Sequence, residues 1–259
     1  MHPALVLHIP HSSTCIPADF RSSLALSDTE LSRELLAMTD WFTDELFELS
    51  GAIRIVFPIS RLVLDPERFL DDEKEPMARR GMGVIYSRTS SGRPLRREPT
   101  LAHRKHLIER FYIPHHRTLT EAVDRALTSH GHVLLLDCHS FPSVPLPNEV
   151  DQSSERPQMC LGTDPFHTPG WLLAAARKAF ESRHLSVAVN RPFSGALVPT
   201  SHHGQDNRVL ALMIEVNRST YMEESDVRPR ETFDAMRTLL QDVAIELLVA
   251  FSLHANPDK

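Results

Sequence analysis

The stretch HVLLLDCHSFPSVP, residues 132–145, decides the fold of this 259-residue chain. Its apolar run, residues 133–136, is too short to cross a membrane and too continuous for a half-exposed strand. The run therefore predicts a central strand that is buried on both faces, as in parallel sheets. Polar residues follow at once, and the carboxyl ends of strands are where open α/β sheets bind ligands. His139 is therefore a candidate site residue, with a hydrogen-bonded turn histidine as the alternative.

Other apolar runs predict further strands, and periodic segments between them predict helices. We expect strands near residues 5, 55, 63, 135, 160, 188 and 212, helices near 35, 115 and 175, and a long amphipathic helix over residues 229–253. This order predicts a single α/β domain over residues 1–259, with a mixed, mainly parallel sheet flanked by helices on both faces. Residues 71–99 carry charge clusters and little periodicity, which is typical of a lid or a long binding loop, with a disordered segment as the alternative.

A capping box at Ser27 and Glu30 predicts the start of a helix that continues with apolar residues at helical spacing and stops at Gly51. Asp40 and Asp44 lie four residues apart in this segment and so share one face of the predicted helix. Most helical carboxylates are solvated. Asp40 is the better candidate for a buried role because it lies between Met38 and Trp41.

The composition narrows the class of protein. The formal charge is −6, and the 28 basic residues are scattered, so nucleic acid is not expected as a partner. Three cysteines form neither a CxxC pair nor an even set, which favours a reducing compartment. The first residues lack the basic region of a signal peptide, and no segment predicts a membrane span. We therefore expect a cytoplasmic protein.

Two further polar side chains follow apolar runs. His11 comes after the run at residues 4–9, and Glu215 lies late in VLALMIEV, residues 209–216. His8 faces the opposite side of its strand from His11 if the strand continues, so His8 is interpreted as structural. A buried glutamate is costly unless it is paired, bound to metal or catalytic. Such residues at one rim predict a metallohydrolase site.

The chemistry follows from the residue types. His11, His139, a carboxylate such as Asp40 and one water make the open arrangement of a catalytic zinc. Glu215 then remains free to take a proton from that water and to protonate the leaving amine. Arg61 and Arg68 are either an ion-pair network around an aspartate or a grip on a substrate carboxylate. Spacing alone does not separate these two interpretations.

Successive motifs carry a resemblance that runs from about residue 5 to residue 222. They are PHSS (10–13), TDWFTDELF (39–47), SRLVLDPERF (60–69), YIPHH (112–116), DCHSFPS (137–143), LGT (161–163), NRPFSGALVP (190–199), HHG (202–204) and MIEVNRSTYM (213–222). In this order they resemble the N-formylglutamate amidohydrolase family. That family is related to the zinc carboxypeptidases, so the resemblance implies a phosphorylase/hydrolase-like fold.

The resemblance implies roles for individual residues. It implies metal binding by His11, Asp40 and His139, with Asp44 as the competing third ligand; general-base catalysis by Glu215; catalytic roles for Arg61 and His202; substrate binding by Arg68 and His116; and a pocket shaped by Asn190 and Gly195. Zinc is the expected divalent metal, and iron, cobalt or manganese can use the same ligands. The oligomeric state is left open.

The implied reaction is hydrolysis of a small-molecule N-acyl amino acid, N-formyl-L-glutamate, to glutamate and formate. The alternatives are a deacylase or carboxypeptidase-like peptidase for another amide, and a non-catalytic binding protein on the same fold. Two departures from the family pattern concern the substrate. The chain reads Asp65-Pro66-Glu67-Arg68-Phe69 where Asp-x-Asn-Arg-Pro is frequent, and His203 stands where an aromatic residue is common.

Overall fold

A computed structural model describes residues 4–97 and 99–255 and contains a six-stranded sheet in the order β2-β1-β3-β6-β4-β5. The strands are β1 (Leu5–Ile9), β2 (Ile53–Val56), β3 (Val133–Phe141), β4 (Met159–Gly162), β5 (Val187–Val189) and β6 (Val209–Asn217). All neighbouring pairs are parallel except β4 and β6. The predicted mixed, mainly parallel α/β sheet is confirmed.

Helices cover both faces of this sheet. They are α1 (Ala18–Arg21), α2 (Asp28–Met38), α3 (Thr43–Leu46), α4 (Leu101–Leu107), α5 (Ile113–His130), α6 (Gly170–Glu181) and α7 (Phe233–Ala255). A π-helical turn (Ile108–Tyr112) joins α4 to α5, 3-10 turns lie at Ala78–Arg80 and Arg218–Thr220, and β7 (Met222–Glu223) pairs with β8 (Arg228–Pro229). Apolar residues of α6 and α7 pack on one face of the sheet, and those of α5 pack on the other.

The central strand β3 is buried along its whole length. Leu134, Leu136 and Cys138 belong to the core under α6 and α7, whereas Val133 and Leu135 belong to the core under α5. Because side chains alternate along a strand, Asp137 and His139 continue the α5 side. The parallel register then places His8 beside Asp137 and Glu215 beside His139.

The predicted helix after the capping box is interrupted. The box is present, since Ser27 accepts from the Glu30 amide and Glu30 accepts from the Ser27 amide. However, α2 ends at Met38, Thr39 is extended and Phe42 is left-handed, so α3 is a separate helix. The sequence-based expectation that Asp40 and Asp44 share one helical face was therefore wrong.

The strand predicted near residue 63 is also wrong. Residues 61–63 form turns, and the Val63 and Leu64 amides donate to the Ser60 carbonyl. The apolar residues of this segment are buried, which explains why the sequence looks like a strand. Most of the expected loop over residues 71–99 is irregular, yet it buries Met82, Val84, Tyr86 and Leu95. That this segment moves as a lid stays a prediction.

No helix among the described residues is long and apolar enough to span a membrane.

The double-sided burial of β3 has a measurable consequence. Leu135→Ala should lower the free energy of unfolding by about 2–5 kcal/mol, because it leaves a cavity where no water reaches the side chain. Urea denaturation measures this loss. The same substitution at Leu253, which is 69% exposed on α7, should change stability by less than about 0.5 kcal/mol. Equal effects at both positions would contradict the packing described here.

Candidate active site

A cavity of about 540 Å³ opens at the carboxyl ends of β1, β3 and β6. Its lining combines polar groups from the strand ends with side chains from the loops before α3, after β2 and after β5. Seven residues that the sequence predicted for the site lie in this lining: His11, Asp40, Arg61, Arg68, His139, Asn190 and Glu215. Residues from six separate motifs are thus brought to one place.

Three of these residues present atoms to one another in the manner of metal ligands. One ligand atom each from His11, Asp40 and His139 lies within 4.8 Å of the others. Asp40 Oδ2 is 3.0 Å from His139 Nδ1 and 3.6 Å from His11 Nδ1. His11 Nδ1 is buried without a hydrogen-bond partner among the described residues. A buried ring nitrogen normally makes a hydrogen bond. Because this nitrogen makes none to the described residues, its lone pair is available to coordinate a cation.

The opposite nitrogens of the two rings contact carboxylates. His11 Nε2 lies 2.9 Å from Asp65 Oδ1. His139 Nε2 lies 3.2 Å from Asp137 Oδ1 and 3.2 Å from Glu67 Oε1. A carboxylate that contacts Nε2 keeps the ring proton on that nitrogen. The lone pair of Nδ1 then remains available to a metal. The donor set therefore fits a divalent cation held by two Nδ1 atoms and Asp40.

The break between α2 and α3 positions Asp40. Its amide donates to the His11 carbonyl over 3.0 Å, which ties the break to the end of β1. Its Oδ1 accepts from Arg218 Nη2 over 3.3 Å, and Arg218 Nη1 donates to the Ala37 carbonyl. Asp44 is not in the cavity lining, and its carbonyl accepts from Arg54. The geometry therefore favours Asp40 over Asp44 as the third ligand.

Burial and charge act in opposite directions on these groups. Burial raises the pKa of Asp40, but the neighbouring imidazoles of His11 and His139 outweigh it and hold that pKa below its ordinary range. Burial lowers the pKa of His139, but Glu67 and Asp137 outweigh it and raise that pKa well above the ordinary value. The site therefore attracts positive charge to the position between the two rings.

Glu215 has a different environment. Its carboxylate is buried, and Oε2 has no hydrogen-bond partner among the described residues. Burial, reinforced by the negative charges of Asp40 and Glu67, raises the pKa of Glu215 to about 8. A carboxyl group whose pKa lies near neutrality, in a cavity and without a structural partner, is suited to proton transfer.

The two predicted arginines differ in how freely they can bind a substrate. Arg61 is engaged: Nη2 donates to Asp65 Oδ2 over 2.9 Å and Nε donates to the Tyr86 hydroxyl over 3.0 Å. Arg68 lies 3.6 Å from Asp65 Oδ2, and its buried Nε makes no hydrogen bond to the described residues. Both interpretations from the sequence thus apply, because the pair forms an ion-pair network and Arg68 keeps donors free.

Three predicted residues are not in the cavity lining. His202 Nε2 lies 2.8 Å from Asp124 on α5, and its Nδ1 lies 3.4 Å from Asp206, so its position does not support a catalytic role. His116 Nε2 lies 2.7 Å from the Pro66 carbonyl, behind the Glu67 segment. Gly195 follows the lining residues 190–194 and has φ +95°, which favours glycine at this turn.

Sequence reasoning missed other parts of the site. Glu67 was noted only as a departure from the family pattern, yet it lies between the two imidazoles. Arg218 anchors Asp40, and the signal for it was a basic residue directly after a buried strand. His8, interpreted as structural, lies 2.8 Å from Asp137 and 2.9 Å from His115, behind His139.

The family is decided by comparison along the chain. Residues 3–222 match the profile of the N-formylglutamate amidohydrolase family. The chain belongs to this family. Membership in the N-formylglutamate amidohydrolases confirms the resemblance drawn from the motifs and makes the chain a hydrolase of C–N amide bonds.

Comparisons with individual relatives of this amidohydrolase agree with the family assignment. An N-formylglutamate deformylase of Pseudomonas putida is 30% identical over 231 residues, which cover 86% of this chain and 83% of that protein. One of Pseudomonas aeruginosa is 31% identical over 232 residues, covering 85% and 82%. The crystal structure of an N-formylglutamate amidohydrolase from Ralstonia eutropha JMP134 has a TM-score of 0.84 at 27% identity, covering 98% and 95%. An Agrobacterium tumefaciens protein, 19% identical with a TM-score of 0.71 over 96% and 92%, shares the fold.

The candidate ligands His11, Asp40 and His139 lead to a prediction about metal content. Protein purified without chelator should carry about one zinc per chain, and His11→Ala or His139→Ala should abolish tight binding because each removes a ligand. Elemental analysis after dialysis measures the ratio. His130→Ala, at an exposed position near the end of α5, is the matched control and should keep the metal.

The third ligand is tested by a second matched pair. Asp40→Asn should lose the metal and Asp44→Asn should retain it, because only Asp40 lies beside the two Nδ1 atoms. The opposite result would assign Asp44 as the ligand.

Proposed function

We propose that this chain is a metal-dependent N-formylglutamate deformylase, which hydrolyses N-formyl-L-glutamate to L-glutamate and formate. One observation carries the proposal: the unpartnered Nδ1 of His11 and the Nδ1 of His139 face Asp40 in the same cavity as Glu215. We infer the substrate from the N-formylglutamate deformylases of two Pseudomonas species that the chain resembles.

His11, Asp40 and His139 would hold the metal. When bound, a zinc ion polarises the scissile carbonyl and lowers the pKa of a water to about 7. The other roles in the reaction are assigned to the protein's own side chains. Asp65 keeps His11 oriented by accepting a hydrogen bond from its Nε2, and Glu67 does the same for the Nε2 of His139. Asp137 Oδ1 also lies 3.2 Å from that His139 nitrogen.

Glu215 is the proposed general base. In its ionised form it accepts a proton from the water that attacks the formyl carbon, and it then delivers this proton to the nitrogen of the leaving amine as the C–N bond breaks. The side chain of Glu215 is buried, which shields this exchange from bulk water. The raised pKa of Glu215, about 8, makes the carboxyl group a competent acid in the second half of the reaction.

The arginines are proposed to bind and orient the substrate. Arg68 lines the cavity and its Nε lies 3.6 Å from Asp65 Oδ2 without a hydrogen bond, so its guanidinium is suited to a substrate carboxylate. Arg61 is held beside Asp40 at 3.7 Å, where it would face the reacting group. Asn190 and the following residues form the opposite side of the cavity. A volume of about 540 Å³ is ample for an N-formyl amino acid.

A second candidate is hydrolysis of another N-acyl amino acid. Glu67 favours it, because its carboxylate lies in the cavity lining and repels a second carboxylate on the substrate. The free donors of Arg68 oppose that repulsion, and for this reason we place N-formyl-L-glutamate first.

The role of Glu215 predicts a loss of turnover without a loss of metal. Glu215→Gln keeps the shape of the side chain but cannot accept a proton, so kcat should fall by about 10²–10⁴-fold while zinc content stays unchanged. Formate release from N-formyl-L-glutamate measures the rate. Glu73→Gln, at an exposed position, is the control. A wild type that binds the substrate tightly with metal supplied and never turns it over would instead support the non-catalytic binding protein.

Substrate choice is predicted by the charge of Arg68. N-formyl-L-glutamate should be cleaved with a higher kcat/KM than N-formyl-L-glutamine, because a charged hydrogen bond contributes about 1.5–3 kcal/mol. Arg68→Gln should remove most of this preference, about tenfold or more, chiefly through KM. A panel that includes N-acetyl amino acids and dipeptides checks the alternatives. Equal cleavage of the glutamate and glutamine compounds by the wild type would favour another N-acyl amino acid.

A further inference from the structure

A second cleft, of about 620 Å³, lies between the segment that follows α1 and the start of α4. One side is formed by residues 22–25, which follow α1. The other side is formed by the segment before α4 and by its first turn, with the lining residues Arg96, Arg97, Pro99, Thr100 and His103. None of these residues lines the active-site cavity. The proposed hydrolysis therefore leaves this cleft without a role.

A buried guanidinium occupies one wall of the cleft. Arg96 is only 5% exposed, and its Nη2 donates to the Leu62 carbonyl. Its Nε and Nη1 are buried and have no hydrogen-bond partner among the described residues. The side chain is thus anchored at one nitrogen and leaves its other donors unused.

The charge of this guanidinium is not neutralised by the described surroundings. No aspartate or glutamate is among the described residues that line the cleft. Burial lowers the pKa of Arg96 only to about 10, so the side chain remains cationic at neutral pH. Because a buried, unpaired charge is costly, such a group is normally compensated by an anion.

Other donors stand around Arg96. His103 Nε2 is buried and also lacks a partner among the described residues. Arg97 is exposed at the edge of the cleft and adds a second permanent positive charge. Two guanidinium groups and an imidazole are the donors that proteins use to bind oxyanions.

We propose that this cleft is a binding site for the oxyanion group, phosphate or carboxylate, of a small molecule, with Arg96 as the principal donor and Arg97 and His103 as secondary donors. Oxyanions suit the site because charged N–H donors bind them with short, strong hydrogen bonds. The volume admits a molecule larger than the oxyanion group itself. The proposal is independent of the hydrolytic function.

Thermal unfolding of the full chain tests this site. Sodium phosphate and, separately, sodium acetate are raised at constant ionic strength against sodium chloride. At about ten times the dissociation constant, the bound anion should raise the Tm of the wild type by about 2–4 °C. The larger of the two shifts identifies the preferred oxyanion. Equal Tm values in all three salts would overturn the proposal.

Variants separate this cleft from the active site, which also holds arginines. Arg96→Gln should abolish the shift, and Arg68→Gln, the same change in the active-site cavity, should keep it. Arg97→Gln, an exposed position that does not endanger folding, should weaken phosphate binding about threefold by calorimetric titration. Loss of the shift in Arg68→Gln, or wild-type affinity in Arg97→Gln and Arg96→Gln, would place the anion elsewhere.

Discussion

The buried carboxylate of Asp65 is the interaction on which the active-site wall depends. It is inaccessible to solvent and accepts hydrogen bonds from His11, Arg61, the Tyr86 hydroxyl and the Glu67 amide. These partners come from the end of β1, the turns after β2 and the irregular segment around residue 86. Burial raises the pKa of Asp65, but the positive charges of His11, Arg61 and Arg68 hold it well below its ordinary value. Removing this one carboxylate would leave a buried guanidinium and an imidazole without their partner.

The parallel register of the central strands brings the other polar side chains of the site together. His8 lies beside Asp137 and His139 lies beside Glu215, so two strand pairs deliver two imidazoles and two carboxylates to one face of the sheet. A shift of one residue in either pair would turn these side chains into the opposite core, which is apolar. The same hydrophobic alternation that stabilises β3 therefore fixes the position of the site, and fold and site are specified by one pattern.

The sequence predicted what local pattern controls. Short, mainly apolar runs identified all six strands of the sheet, and the capping box at Ser27 located the start of α2. Prediction from the sequence failed where tertiary contacts override local secondary-structure preference. The break at residues 39–42 satisfies the Asp40 amide through the His11 carbonyl, a partner 29 positions earlier in the chain. Leu62, Val63 and Leu64 form a short apolar run that is buried against the irregular segment, without being a strand. The place of Glu67 between two rings and the distance of His202 from the cavity are likewise consequences of folding that spacing does not encode.

The carboxylates around the two imidazoles also favour a cation at this site. Asp40, Asp65, Glu67 and Asp137 all contact His11 or His139 at 3.8 Å or less. Burial lowers the pKa of both histidines, but the negative charges of these carboxylates favour the protonated rings and raise both pKa values above the ordinary value. A divalent ion at the Nδ1 atoms supplies the same compensation and displaces the protons, so in the proposed enzyme metal binding weakens as the pH falls. The carboxylates that orient the rings thereby also set their affinity for a cation, and Glu67 adds one negative charge to that balance at the edge of the substrate cavity.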